Sequence, residues 1–210
     1  MSHRDMSHHG VYQQLARGQA RPWALAALSG TGIRAVRHPL GFVCLPLERD
    51  GGEGVCLHLW SPRFTHAEST TSGIHCHSWD LLSHVLYGQV RNVHAVVTDA
   101  VRDPTHRVFE VVSAADGDRI TPTRRTVRQE TGLVEEFGPG DTYTLAAGRF
   151  HSSVVPAGGE AATIALGTGR PGSRDLSLGP LGTGDHHVSR QPLDDEETAL
   201  AVRLIAAHLS

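Results

Sequence analysis

From Leu40 onward the sequence is a succession of short apolar runs separated by Gly, Pro or Asp, and this pattern limits the possible folds most strongly. The runs GFVCLPL and GVCLHLW flank the turn-like RDGGEG and predict a β-hairpin. No helical pattern interrupts the later runs, so the sequence predicts a mainly β fold whose antiparallel strands close into a barrel or jelly roll. These later runs occupy residues 83–97, 107–113, 124–130, 133–137, 141–145, 151–155 and 161–166.

The N-terminal part of the chain has a helical rather than a strand-like residue pattern. Residues 11–29 predict one helix, or two short helices broken near Pro22, and Gly30 and Gly32 are expected to end them. We therefore expect residues 1–39 to form a helical cap on the barrel.

The C-terminal part divides into a loop and a helix. Residues 168–190 are rich in Gly and Pro and are predicted to form a loop without a regular element. Residues 191–210 carry an imperfect apolar stripe behind an acidic start, which suits a helix N-terminus. The chain is thus predicted to be a single domain, 1–210, with its β-barrel at 40–167.

Charge and cysteine content restrict the partners and the compartment. The net charge is −3 and basic residues form no block, so neither nucleic acid nor an anionic membrane is an expected partner. Cys44, Cys56 and Cys76 include no CxxC pair, which indicates neither a disulfide framework nor a structural zinc site. Without an apolar signal or membrane-span run, we expect a soluble cytoplasmic protein.

Three histidines have the spacing of metal ligands. Residues two apart in a strand point to the same face, so His75 and His77 would present two imidazoles to one side. His151 follows a glycine turn at Gly148 and begins another strand. Three imidazoles from two strands would leave coordination positions open on a divalent metal.

These segments resemble the two motifs of the cupin superfamily. In the first motif, His75, His77 and Gly88 are in register; in the second motif, Gly140, Gly148 and His151 are. The resemblance covers about residues 40–167 and implies an antiparallel cupin barrel with one metal ion on the three histidines. It also implies a homodimer formed through a strand edge.

The departures from the motifs narrow the expected chemistry. Leu81 stands in the slot that usually holds a Glu ligand, Ser69 in the upstream glycine slot and Ala146 in the proline slot. A three-histidine site without carboxylate resembles the thiol dioxygenases, exemplified by cysteine dioxygenase, and implies Fe(II), with Zn(II), Mn(II) or Ni(II) as alternatives. The expected substrates are O2 and a small thiol or an amino-acid-derived acid.

Several neighbouring residues are weaker candidates. Asp80 is expected to be a surface residue or a partner for an imidazole N–H, or a ligand if the strand carries a bulge. His84 should face away from the metal, and Cys76 should be a small buried residue on the opposite face of its strand. Candidates for lining the substrate site or acting in catalysis are Ser83, Tyr87, Tyr143, Arg63, Arg91 and Arg149.

The sequence thus leads to an oxygenase hypothesis with two rivals. One rival is a cupin isomerase, lyase or hydrolase in which the metal acts only as a Lewis acid. The other is a ligand-binding cupin without catalysis. Activity with and without oxygen separates the first two.

Overall fold

A computed structural model describes residues 6–30, 32–65, 69–114 and 117–210. Within these ranges the chain forms three helices and thirteen strands. The helices are α1 (His8–Ala16), α2 (Ala20–Leu28) and α3 (Asp195–Leu209). The strands are β1 (Val36–His38), β2 (Phe42–Asp50), β3 (Glu53–Trp60), β4 (His75–Cys76), β5 (Trp79–Tyr87), β6 (Val90–Asp99), β7 (His106–Ala114), β8 (Gly117–Phe137), β9 (Thr142–Leu145), β10 (His151–Val154), β11 (Ala161–Gly169), β12 (Leu176–Gly179) and β13 (His186–Val188).

The described strands form two antiparallel sheets. One has the order β1-β2-β3-β11-β5-β9 and the other the order β13-β8-β6-β10-β4-β12-β7, with a further pairing between β7 and β8. The predicted fold class, mainly β with antiparallel sheets and a helix region at each end, is confirmed. None of the helices in the described ranges is long and apolar enough to cross a membrane.

The N-terminal helices break at a different residue from the one predicted. The break lies at Gly18, whose φ of 70° suits glycine, whereas Pro22 sits in the first turn of α2. Proline is tolerated there because its missing N–H has no partner to lose within the helix. The barrel also begins earlier than predicted, since β1 lies inside the range assigned to the helical cap.

The prediction that residues 168–190 contain no regular element is wrong. Strand β12 inserts between β4 and β7, and β13 pairs with the start of β8. The Gly and Pro residues of this segment form the turns around two short strands rather than one continuous loop. The helix after it begins with a capping box, in which Asp194 and Glu197 bond each other's backbone N–H groups.

Along the strands of the first sheet, successive side chains point to opposite faces, and the two faces contribute to two separate apolar layers. One face of β2, β3 and β11 packs against the three helices through residues such as Leu45, Leu57 and Ile164. The other face turns toward the second sheet and forms the barrel interior. Buried residues of this interior are Phe42, Cys44, Trp60, Leu81, Val85, Val90, Tyr143, Leu145, Ala161 and Ala165.

The second sheet has a small apolar cluster of its own. Cys76 packs there with Val108, Val127, Phe150 and Leu178, on the side of β4 opposite to its neighbour His75. Strand β8 pairs with both β6 and β7, and Val108 of β7 and Val127 of β8 both contribute to this cluster. Cys76 is therefore a buried packing residue, and burial raises the pKa of its thiol to about 11.

Candidate metal centre

The two sequence segments that carry the predicted ligands meet in the second sheet. His151 at the start of β10 is paired directly with His75 of β4, and His77 follows in the link to β5. The ring centroids of His75 and His151 are 4.5 Å apart, and that of His77 lies 4.7 Å from His75 and 5.2 Å from His151. One ligand nitrogen from each ring lies within 4.8 Å of the other two, so the three can share one ion.

Backbone carbonyls fix the tautomer of two of these rings. His75 Nδ1 lies 3.0 Å from the carbonyl oxygen of Gly73, and His151 Nδ1 lies 2.9 Å from that of Arg149. A carbonyl oxygen only accepts, so each Nδ1 must carry the proton. Each Nε2 then has a free lone pair, which is the form that binds a metal.

Burial keeps the three imidazoles neutral. Removal from water lowers the pKa of His151 to about 3, with a further contribution from His75. The same burial lowers the pKa of His75 and, together with its histidine neighbours, holds the pKa of His77 well below the ordinary value. Neutral imidazoles need not lose a proton before binding a metal, so the group is ready to bind at neutral pH.

His77 is held by an aromatic ring and by its own backbone. Its imidazole stacks on the indole of Trp79, with centroids 4.1 Å apart. Its carbonyl oxygen accepts a hydrogen bond from the N–H of Gly148 at 2.9 Å. Trp79 fits because Gly167 on the neighbouring strand β11 has no side chain: a Cβ there would lie 3.0 Å from the indole. Sequence reasoning missed Trp79, although it continues the two-residue alternation of His75 and His77.

Asp80 plays none of the roles predicted for it at the metal. Its carboxylate accepts a hydrogen bond from the N–H of Ala147 at 2.8 Å and forms an ion pair with Arg170. The carboxylate thus hydrogen-bonds the turn before β10 rather than an imidazole N–H. The Arg170 hydrogen bonds hold the pKa of Asp80 below its ordinary value.

Ser83 and Tyr143 meet in a buried polar group inside the barrel. They are cross-strand partners on β5 and β9, and the Tyr143 hydroxyl is within hydrogen-bonding contact of Ser83, Asn92 and Ser153. Ser153 Oγ also donates to Asn92 Oδ1 at 2.7 Å. Burial raises the pKa of Tyr143, so the phenol remains protonated. Both residues face the interior, as alternation predicts.

The placement of Tyr87 in the substrate site is wrong. Its ring stacks on His208 of α3, with centroids 4.0 Å apart, and it packs in the layer between sheet and helices. The cause is a register shift: Ala162 pairs with Tyr87 but Thr163 pairs with Val85, so β5 has one extra residue. A bulge of this kind reverses the faces of all later residues in the strand.

The three candidate arginines are exposed residues outside the three-histidine group. Arg63 and Arg149 are exposed, and Arg91 forms an exposed ion pair with Glu136. Their role as lining residues stays a prediction. Arg149 contributes only its carbonyl oxygen, which accepts the bond from His151. His84 lies outside the three-histidine group, and its Nδ1 lies 2.8 Å from Thr142 Oγ1.

The opposite wall of the barrel interior carries polar residues that sequence reasoning did not select. Cys44, Cys56 and His58 lie on β2 and β3, with ligand atoms within 4.8 Å of one another. His38 stacks on Phe42, with ring centroids 4.4 Å apart. The detectable signal was alternation in GVCLHLW, which places Cys, His and Trp on one face of the strand.

Electrostatic interactions between histidines link the three-histidine group to the opposite wall of the barrel. His38 and His58 are close enough to His77 to lower its pKa, so all of these rings face one interior. The Cys44 thiol donates a hydrogen bond to Cys56, which holds the pKa of Cys56 well below the ordinary thiol value. The same bond, together with burial, raises the pKa of Cys44.

Fold and site together define a β-barrel protein with a three-histidine group able to hold one metal ion. No known protein-family profile matches the chain, and neither does any curated protein sequence. Similar solved structures include a cupin superfamily protein from Desulfitobacterium hafniense, with 11% identity over 61% of this chain and 78% of that chain and a TM-score of 0.34.

Two similar structures are enzymes by name. The polyketide cyclase RemF from Streptomyces resistomycificus has 15% identity over 85% of this chain and 94% of that chain, with a TM-score of 0.40. The L-ribose isomerase from Cellulomonas parahominis has 15% identity over 98% of this chain and 96% of that chain, with a TM-score of 0.36. Identities and scores of this size do not transfer an activity.

Proposed function

We propose that this protein is a metal-dependent enzyme, specifically a non-haem Fe(II) oxygenase that acts on a small molecule. The observation that carries the proposal is the pair of Nδ1–H hydrogen bonds made by His75 and His151, which orient both Nε2 lone pairs toward a shared ion. Bound Fe(II) would supply electrons and open positions for O2 and substrate. The chain would supply an uncharged ligand set, a hydroxyl beside the ligands and an interior that excludes water.

The first contribution of the chain is an uncharged ligand set. The group contains three imidazoles and, among the described residues, no carboxylate. The full charge of a divalent ion would remain uncompensated, and an ion in a buried site favours a counter-charge. This supports an anionic substrate, such as a small thiolate or an amino-acid-derived acid, as the partner that completes the site.

The second contribution is a hydroxyl positioned beside the ligands. Ser177 of β12 is paired with His75, so both side chains occupy the same face of the sheet. Its Oγ is buried without a hydrogen-bond partner. A buried hydroxyl without a partner is unfavourable, so we infer that Ser177 hydrogen-bonds the bound substrate.

The third contribution is the exclusion of water. His77 stacks on Trp79, and the facing wall contains Phe42 and Trp60, so aromatic surface surrounds the histidines. A dry interior strengthens every charge interaction formed inside it. Substrate that enters would be held away from bulk solvent during the reaction.

The test begins with metal analysis of protein purified without chelator. Anaerobic reconstitution with Fe(II) follows, with oxygen uptake measured against a panel of thiols and small acids. We expect about one iron per chain, and oxygen uptake that His77→Ala abolishes and His84→Ala retains. His84 is the matched control because it is a histidine of β5, in the other sheet, that lies outside the three-histidine group.

A redox-neutral Lewis-acid enzyme is the second candidate, because three histidines with an open position also suit catalytic zinc. Zn(II), Mn(II) or Ni(II) that is held tightly and lost in His77→Ala, no oxygen uptake and turnover under anaerobic conditions would favour it. Protein that binds none of these metals would contradict both enzyme proposals and leave a ligand-binding barrel.

A further inference from the structure

The wall of the barrel that faces the three histidines contains a second cluster of ligand-type side chains. Strands β2 and β3 pair so that Cys44 lies directly opposite His58, while Cys56 lies two residues before His58 on the same face. All three cysteines of the chain are free thiols. The antiparallel pairing thus brings together two thiols and one imidazole. The sequence has no CxxC spacing that would have predicted this cluster.

We propose that Cys44, Cys56 and His58 bind a second metal ion, Zn(II), inside the barrel. One ligand atom from each residue lies within 4.8 Å of the other two, without rearrangement of the strands. The site is separate from the three-histidine group, because its ligands lie on the other sheet.

The donor set selects the ion. Thiolates are soft ligands that prefer Zn(II) or Cu(I) to Fe(II), Mn(II) or Mg(II). Cys44 is only 7% exposed, so the bound group would lie in a dry environment. Two thiolates, one neutral imidazole and Zn(II) sum to zero charge, whereas Cu(I) would leave a buried net negative charge. Charge neutrality therefore favours Zn(II).

Aromatic packing holds the imidazole in place. The His58 ring lies 4.4 Å from Phe42 and 5.9 Å from Trp60, in tilted and edge-on contacts. Ligands fixed by their surroundings bind a metal with less loss of freedom. Three protein ligands leave the fourth tetrahedral position open toward the interior, which is the arrangement of a catalytic rather than a structural zinc site.

Co(II) substitution tests this site by its absorption. Cobalt bound to thiolate shows a sulfur-to-metal charge-transfer band in the near ultraviolet, whereas cobalt on three imidazoles does not. We expect the reduced wild-type protein to develop this band on anaerobic Co(II) titration and to lose it when Zn(II) is added. His151→Ala should keep the band, so failure of the three-histidine proposal would not affect this result.

The ligand variants identify the residues. Cys44→Ala and Cys56→Ala should each weaken the band by about half or more, the double variant should abolish it, and His58→Ala should weaken Co(II) binding. Cys76→Ala is the matched control, since Cys76 is a buried thiol on another face, and it should retain the full band. Circular dichroism of each variant checks that the barrel has folded.

Three results would overturn the proposal. One is wild-type protein with all thiols reduced that shows no charge-transfer band. Another is a band that survives in the folded Cys44→Ala/Cys56→Ala double variant. The third is a Cys44–Cys56 disulfide, detected by mass spectrometry, that forms in protein kept under reducing conditions and prevents Co(II) binding.

Discussion

The carboxylate of Asp80 accepts a hydrogen bond from the backbone N–H of Ala147 at 2.8 Å, and this contact ties the start of β5 to the turn that precedes His151. Gly148, the next residue in the turn, donates to the carbonyl oxygen of His77. The two bonds together set the distance between the segments that carry His77 and His151. Asp80 is thus a positioning residue for the three-histidine group.

Replacement of Asp80 should therefore weaken metal binding without removing a ligand. We expect Asp80→Ala to raise the dissociation constant for Fe(II) or Co(II) at the three-histidine site by roughly tenfold, a size typical of residues that orient ligands. Competitive titration against a chromophoric chelator measures this constant.

Arg170→Gln is the matched control for Asp80. It removes the ion pair but leaves the bond from Ala147 to Asp80 intact. Exposed ion pairs contribute little, so metal affinity should stay near that of the wild type. Equal weakening in both variants would contradict the role given to the Ala147 bond.

Two motif glycines that share a positive φ should differ in their tolerance of substitution. A Cβ at Gly88 would lie 2.1 Å from the carbonyl oxygen of Glu160, whereas one at Gly148 would meet no atom within 4 Å. We expect Gly148→Ala to cost about 1–2 kcal/mol of unfolding free energy, from backbone strain alone. Gly88→Ala should cost at least about 3 kcal/mol or prevent folding, because backbone must move as well. Urea denaturation compares them, and equal losses would contradict the steric explanation.

The three-histidine group could be predicted from sequence because its signal is local. His75 and His77 need only the two-residue period of a strand, and the glycine before His151 marks a turn whose positive φ is visible as residue type. The antiparallel class followed similarly from short runs without intervening helices. These inferences need no knowledge of which strands pair.

The features that could not be predicted from sequence depend on which strands pair and in which register. Tyr87 changed faces through a bulge opposite β11, and sequence alternation contains no sign of an extra residue. Cys44 and His58 meet only because β2 and β3 pair in one particular register. Strand β12 forms because it completes hydrogen bonds with β4 and β7, which overrides the weak strand propensity of its Gly- and Pro-rich surroundings.

A pair of tyrosines should respond in opposite ways to loss of the hydroxyl. The Tyr87 hydroxyl is buried without a partner, so Tyr87→Phe should leave stability unchanged or raise it by up to about 1 kcal/mol. The Tyr143 hydroxyl has partners in Ser83, Asn92 and Ser153, so Tyr143→Phe should cost about 1–3 kcal/mol. Chemical denaturation measures both. A marked loss in Tyr87→Phe would mean that its hydroxyl is needed after all.

The metal-free protein should lose stability in mild acid because of His151. The folded pKa of His151 is about 3, below the ordinary value of 6.5, since burial opposes the charge. Between these values the unfolded chain binds a proton that the folded chain does not, so unfolding becomes more favourable as pH falls. The expected loss from this one histidine is about 1.4 kcal/mol per pH unit below about pH 6.

Removal of the titrating group isolates this effect. In EDTA, the unfolding free energy of His151→Gln should fall less steeply between about pH 6 and pH 4 than that of the wild type, by a slope equivalent to about one proton. The comparison uses slopes, so a lower overall stability of the variant does not affect it. His75 and His77, whose pKa values are also lowered by burial, should preserve part of the acid sensitivity. Identical slopes in the two proteins would mean that His151 takes up a proton in the folded barrel, and its neutral, metal-ready state would then be wrong.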